Sequence, residues 1–118
     1  MSNISSIPTE EDFARAKLKM KKRLKAESDF KVEMRSSLTR SIPCHDIWVW
    51  FNEPNCTVSY VFPTDANLND CDNDFHKNIE SVAKHIADNN GFKGVVIEYH
   101  SHEYVLKKYN GNYDSYFR

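Results

Sequence analysis

Glycine appears three times and proline four times in a chain of 118 residues. That scarcity excludes a low-complexity, collagen-like or linker-rich polypeptide and leaves few positions where the backbone must turn. No apolar run approaches the roughly 20 residues needed to span a bilayer, so no membrane segment is expected. The opening "MSNISSIPTEEDF" lacks the charged-then-apolar order of a secretory signal. Cysteine is also sparse: Cys44, Cys56 and Cys71 form neither an even set nor a closely spaced pair. This usage fits a reducing compartment better than a disulfide scaffold, and the expected location is cytoplasmic. A phosphate-binding glycine loop, a G-x-S-x-G elbow, an H-E-x-x-H helix and a complete metal signature are all missing, so no cofactor is expected.

What remains is ordinary in amount and uneven in distribution. Apolar residues make up 40% and charged residues 28%, the balance of a globular domain. The formal net charge of -1 hides an asymmetry. Basic residues dominate before Asp46 through "KLKMKKRLK", and acids dominate after it through "DANLNDCDND". Aromatic residues reach 13% and crowd into "DIWVWF" and the C-terminal "YNGNYDSYF".

"PTEEDFARAKLKMKKRLKAE" reads as a helix capped by Thr9, with Glu10, Glu11 and Asp12 at the positive end of its dipole. Phe13, Met20 and Leu24 fall on one line at 100° per residue, with Ala16 beside them, and form the expected contact stripe. "FKVEM" alternates Phe30, Val32 and Met34 against charges and reads as a strand, with helix continuation as the competing reading. "RSSLTRSIP" is then a connection. In "DIWVWFNEPNCTVSYVFP", Ile47, Val49 and Phe51 alternate with Trp48 and Trp50. Beyond the turn residues "NEPN", Val58, Tyr60 and Phe62 alternate in turn, which predicts a hairpin. "DCDNDFHKNIESVAKHIADNNG" predicts a second helix. Its core face is Phe75, Ile79, Val82, Ala83 and Ile86, its start is capped by Asp70, Asp72 or Asn73, and Asn90-Gly91 stops it. "FKGVVIEYHSHEYVL" reads as a last strand, with a turn at Asn110-Gly111 in the tail.

The expected fold is therefore a single α+β domain over residues 1–118. An antiparallel sheet of three to five strands carries two main helices mostly on one face, with a flexible start (1–8) and an aromatic tail (107–118).

Several residue groups carry possible chemistry. In an extended segment 95–105, Glu98, His100, His102 and Tyr104 share one face. His100 and His102 then offer either two metal ligands, with Glu98, Cys44 or His45 as a third, or an acid–base pair for RNA cleavage. The plainer reading is a polar contact face. Cys44 beside His45 is no dyad, because strand neighbours point apart, and a packed thiol is expected there. "DCDND" opens like a calcium loop but has Phe75 where glycine is required and Ser81 where the bidentate glutamate belongs. Lys19, Lys21, Lys22, Arg23 and Lys25 form a basic helix suited to phosphates, although a net acidic chain is unusual for a nucleic-acid binder.

Together these features favour a non-enzymatic protein that occludes a protein partner, of the inhibitor, immunity or antitoxin kind. The expected contact residues are Glu98, His100, His102, Tyr104, Tyr109 and Tyr113, with Asp65, Asp70, Asp72 and Asp74 as an acidic surface. The alternative is a small nucleic-acid-binding or RNA-cleaving protein using the basic helix and the His100/His102 face.

Overall fold

A computed structural model describes residues 7–38 and 43–118. The connection 39–42 and the first six residues of the expected flexible start lie outside the described residues. The described chain is a small α+β domain with a three-stranded mixed sheet and five helices.

Helix α1 runs over Glu10–Ser36. Thr9 Oγ1 accepts the N–H of Asp12, and Asp12 Oδ2 accepts that of Thr9, a reciprocal cap that satisfies two otherwise orphaned donors. The helix does not yield to a strand at "FKVEM". Ala26, Phe30 and Met34, spaced by four, are fully buried, while Val32 is 64% exposed. Strand alternation would have put Val32 beside Phe30, but a 3.6-residue period turns it away.

The buried line is also not the expected one. Phe13, Met20 and Leu24 remain 64%, 60% and 59% exposed, and the helix grips the domain only through its second half. A helix of 27 residues is about 40 Å long. The strands beneath it, at seven and eight residues, reach only about 25 Å, so the first half of α1 projects.

Strands β1 (Asp46–Asn52) and β2 (Asn55–Phe62) form the expected antiparallel hairpin, closed by Glu53-Pro54 alone. A short helix α2 (Asp65–Asn69) and the long α3 (Asn73–Asn89) follow. Strand β3 (Gly94–Ser101) then pairs with β2 in parallel, giving the order β1-β2-β3. The fully antiparallel expectation is corrected here. The crossover through α2 and α3 carries the chain back to the end where β2 began, so β3 must run the same way as β2.

One sheet face carries Ile47, Val49, Phe51, Cys56, Val58, Tyr60, Phe62, Val95, Ile97 and Tyr99. Against it pack Ala26, Phe30 and Met34 of α1 and Ile79, Ala83, Ile86 and Ala87 of α3. The two long helices thus share a face, as the sequence leads one to expect. Buried Asn90 ties them together: its Nδ2 donates to Ile86 O (2.9 Å) and Asp29 Oδ2 (3.1 Å), and Lys25 Nζ reaches its Oδ1 at 3.3 Å. Among the described residues no disulfide joins two cysteines, and burial pushes the Cys56 thiol up to about 11. Among the described residues no helix is long and apolar enough to cross a membrane.

The chain ends in two short helices, α4 (His102–Tyr109) and α5 (Tyr113–Tyr116). Between them Asn110 (φ 53°) and Gly111 (φ 78°) take the left-handed conformation that reverses the chain.

Candidate functional site

The other sheet face is built by the register alone. Trp48, Ser59 and Glu98 form one cross-strand row, Trp50, Thr57 and Val96 the next, and Asp46, Val61 and His100 a third. Among the described residues no long helix covers this face; the C-terminal segment does. Tyr113 stacks on Trp48 with centroids 5.6 Å apart and planes at 22°. Phe117 lies 5.4 Å from Trp48 and 5.2 Å from Trp50. Tyr116 closes the other side, 5.1 Å from Phe117.

The two histidines hold this tail. His100 Nδ1 lies 2.7 Å from Tyr116 OH, and His102 Nδ1 lies 2.5 Å from Tyr113 OH. Burial raises both tyrosines above their ordinary value, with Asp46 adding to the rise at Tyr113 and Tyr104 at Tyr116. The hydroxyls therefore stay protonated, and each shares one hydrogen bond with the Nδ1 of its histidine. Burial also lowers both imidazoles, against the opposing pull of Glu98 at His100 and with the help of His45 at His102.

Strand β3 ends at Ser101, so His100 and His102 do not share a strand face. Ser101 caps α4 instead: its Oγ accepts the N–H of Tyr104 at 3.3 Å and donates to Asp65 Oδ1 at 2.5 Å. His100 sits on the covered sheet face with 14% of its side chain exposed. His102 opens the helix and stacks on His45 at 3.6 Å. Each of the two rings has its Nδ1 against a tyrosine of the tail. Among the described residues no three His, Cys, Asp or Glu side chains converge to hold a metal ion.

A pH dependence follows from the lowered imidazoles. As pH falls, the unfolded chain takes up protons near the ordinary histidine value of 6.5, before the folded one does. Stability is therefore full above that value and declines as pH drops through it toward the folded pKa, ahead of carboxylate titration. Urea midpoints measured from pH 8 downward should show this decline, and His100→Gln should remove much of it. A wild-type profile flat across the histidine range would contradict the latch.

Comparison of the chain with protein-family models, with curated proteins and with solved structures returns no significant match. The site must be read from its own geometry.

Tyr104 and Tyr109, 43% and 36% exposed, stand beside the tail, with their rings 6.0 and 5.2 Å from that of Tyr116. Tyr104 reaches this place from α4 rather than from a strand. Glu98 is half-exposed at the centre of the face.

In the acidic stretch Asp70, Asp72 and Asp74 are exposed and Asp65 is half-buried. Asp65 binds Ser101, Asp70 ends α2, Asp72 caps α3 by accepting the N–H of Phe75 at 2.9 Å, and Asp74 lies in the first turn of α3. Helix termini thus account for the calcium-like spacing. Cys44 donates to Asp46 O at 3.6 Å and packs against the core, while His45 turns toward His102.

The basic residues of α1 lie on the opposite side of the sheet from the histidines. Lys25 binds Asp29 at 2.7 Å and Arg23 approaches Glu53 at 3.5 Å. Lys22 covers the Phe92 ring at 4.7 Å, and Lys19 and Lys21 are exposed. The structure therefore does not join the basic helix to the His100/His102 face.

The pairing of Phe117 with Trp50 and the bridging position of Ser59 escape the sequence reading. Both depend on strand register and on where the tail lands, which no local pattern encodes.

Proposed function

We propose that this protein is a binding module for another protein and acts by occluding its partner. The contact surface is the tail-covered sheet face, with Trp50, Tyr104, Tyr109, Tyr116, Phe117 and Glu98 at its centre. One observation carries the reading: the partly exposed rings of Trp50, Tyr104 and Tyr109 pack against Phe117 and Tyr116, in a tail that His100 and His102 tie down through Tyr116 and Tyr113. Rings held in one conformation lose little entropy on contact, which is why tyrosine and tryptophan dominate the energetic centres of interfaces. Val96 and Leu106, 58% and 51% exposed, extend the apolar surface around them.

The half-buried hydroxyls and imidazoles serve rigidity in this account, and the exposed parts of Trp50, Tyr104 and Tyr109 meet the partner. Affinity capture from the native cell tests it, with the wild-type chain and a Trp50→Ala/Tyr104→Ala/Tyr109→Ala variant as baits. A protein recovered stoichiometrically with the wild type and lost with the variant is the expected result. Identical protein sets on both baits, or salt-labile RNA in place of a protein, would overturn the reading. The RNA outcome would shift attention to the projecting lysines of α1.

A further inference from the structure

The open face holds a cavity of about 320 Å³ lined by Trp50, Asn52, Thr57, Glu98 and Phe117. All three strands and the tail contribute to it. Trp50 and Phe117 meet at 72° with centroids 5.2 Å apart, so the rings form a corner rather than a stack. Glu98 stands in that corner with 51% of its side chain exposed.

The neighbours of Glu98 present hydrogen toward it. Trp50 Nε1–H donates to Ser59 Oγ at 3.3 Å, and the Ser59 hydroxyl donates to Glu98 Oε2 at 3.3 Å. His100 Nε2 faces the same oxygen at 3.5 Å without closing a hydrogen bond, while its Nδ1 is hydrogen-bonded to the Tyr116 hydroxyl on the far side of the ring. These contacts orient the carboxylate and all fall on Oε2. A neutral His100 brings no positive charge to the corner, since burial holds its pKa below the ordinary value. The result is a carboxylate fixed among aromatic rings, open to solvent, with no cation lining the cavity.

We propose that this corner is a recognition site for an arginine side chain presented by the partner protein. A guanidinium is planar, stacks on an indole face, and is weakly hydrated enough to leave water for an aromatic corner. Its N–H groups form charge-assisted bonds to a carboxylate already held in position. Arginine therefore uses both features of the corner at once. The inference rests on the binding-module reading and adds to it the chemistry of the partner's central residue.

The test is a titration of isotope-labelled protein with N-acetyl-arginine methylamide, followed at the two tryptophan indole N–H resonances. The expected result is a saturable shift of the Trp50 indole and of the Thr57 and Glu98 amides, with a midpoint on the order of millimolar, as suits one side chain. The citrulline analogue, equal in shape and uncharged, should produce none. Glu98→Gln should weaken binding about tenfold, the equivalent of about 1.4 kcal/mol. Asp88→Asn, which removes the same charge from the exposed surface of α3, should leave binding unchanged. Asn52→Asp adds a carboxylate at the exposed rim without touching the network and should tighten binding about two- to fivefold.

Equal shifts with citrulline, or unchanged affinity in both Glu98→Gln and Asn52→Asp, would overturn the site. Partner capture that survives Glu98→Gln but not the triple aromatic variant would remove the arginine site while leaving the binding-module reading standing. Arginine binding without any captured partner would do the reverse.

Discussion

Phe30→Ala is expected to destabilise the domain by about 3–5 kcal/mol, while Val32→Ala, two residues away, should cost less than about 0.5 kcal/mol. Phe30 is fully buried between α1 and the sheet and has Ala26 and Met34 above and below it on the helix. Removing a fully buried ring from the packed layer between helix and sheet leaves a cavity, which places the cost in the upper range for core truncations. Domains of this size are commonly stable by about 5–15 kcal/mol. The loss is therefore large enough to be read directly from a urea midpoint at unchanged slope. Val32 already lies mostly in water, so its truncation removes little buried area. The contrast between the two is the informative quantity. In a strand, residues 30, 32 and 34 would share one face and cost comparable amounts; in a helix only 30 and 34 do. Equal destabilisation by both substitutions would mean that the second half of α1 is not helical in solution.

That same segment shows how much of the fold is legible in the chain. Alternation at Phe30, Val32 and Met34 satisfies a period of two, and the residue that decides against it, Ala26, is too small to announce itself. The α3 helix is readable because several of its signals agree: a wide apolar face, Asp72 as cap and Asn90-Gly91 as stop. The hairpin is readable for the same reason. The parallel sense of β3 follows from a helix inserted between two strands, a cue present in the sequence and outweighed by the hairpin before it. The end of β3 was also marked. Ser101 as cap, Glu103 in the first turn, Lys107 and Lys108 in the last and Gly111 beyond it are all helix signals. The alternating apolar run before Ser101 favours an extended reading that continues five residues past the end of the strand, to Leu106. For the candidate site, Glu98 and Tyr104 are suggested by their exposure-prone chemistry. The role of His100 and His102 in holding the tail is not, because it depends on where a segment beyond a left-handed turn comes to rest.

Trp48→Ala should cost about 2–4 kcal/mol and release the C-terminus, and this is the most direct test of how the second sheet face is closed. Trp48 is the one ring in contact with Trp50, Tyr113 and Phe117 together. Its loss takes away the floor on which α5 rests, and the residual cost is moderated because its indole N–H is buried without an acceptor. Trp48→Phe keeps a ring and deletes that orphaned donor, so it should cost far less than the alanine change. The decisive comparison is a double-mutant cycle with a chain ending at Gly111. If the tail and Trp48 stabilise each other through contact, Trp48→Ala in the shortened chain will cost at least about 1 kcal/mol less than in the full one. Additive costs would mean that the tail and the tryptophan contribute independently, and that the rings of α5 are not seated on the sheet. Protease cleavage within 108–118, slow in the wild type and fast in Trp48→Ala, would report the release itself. The cycle bears on function as well, because Phe117 and Tyr116 can form a rigid contact surface only while Trp48 holds them.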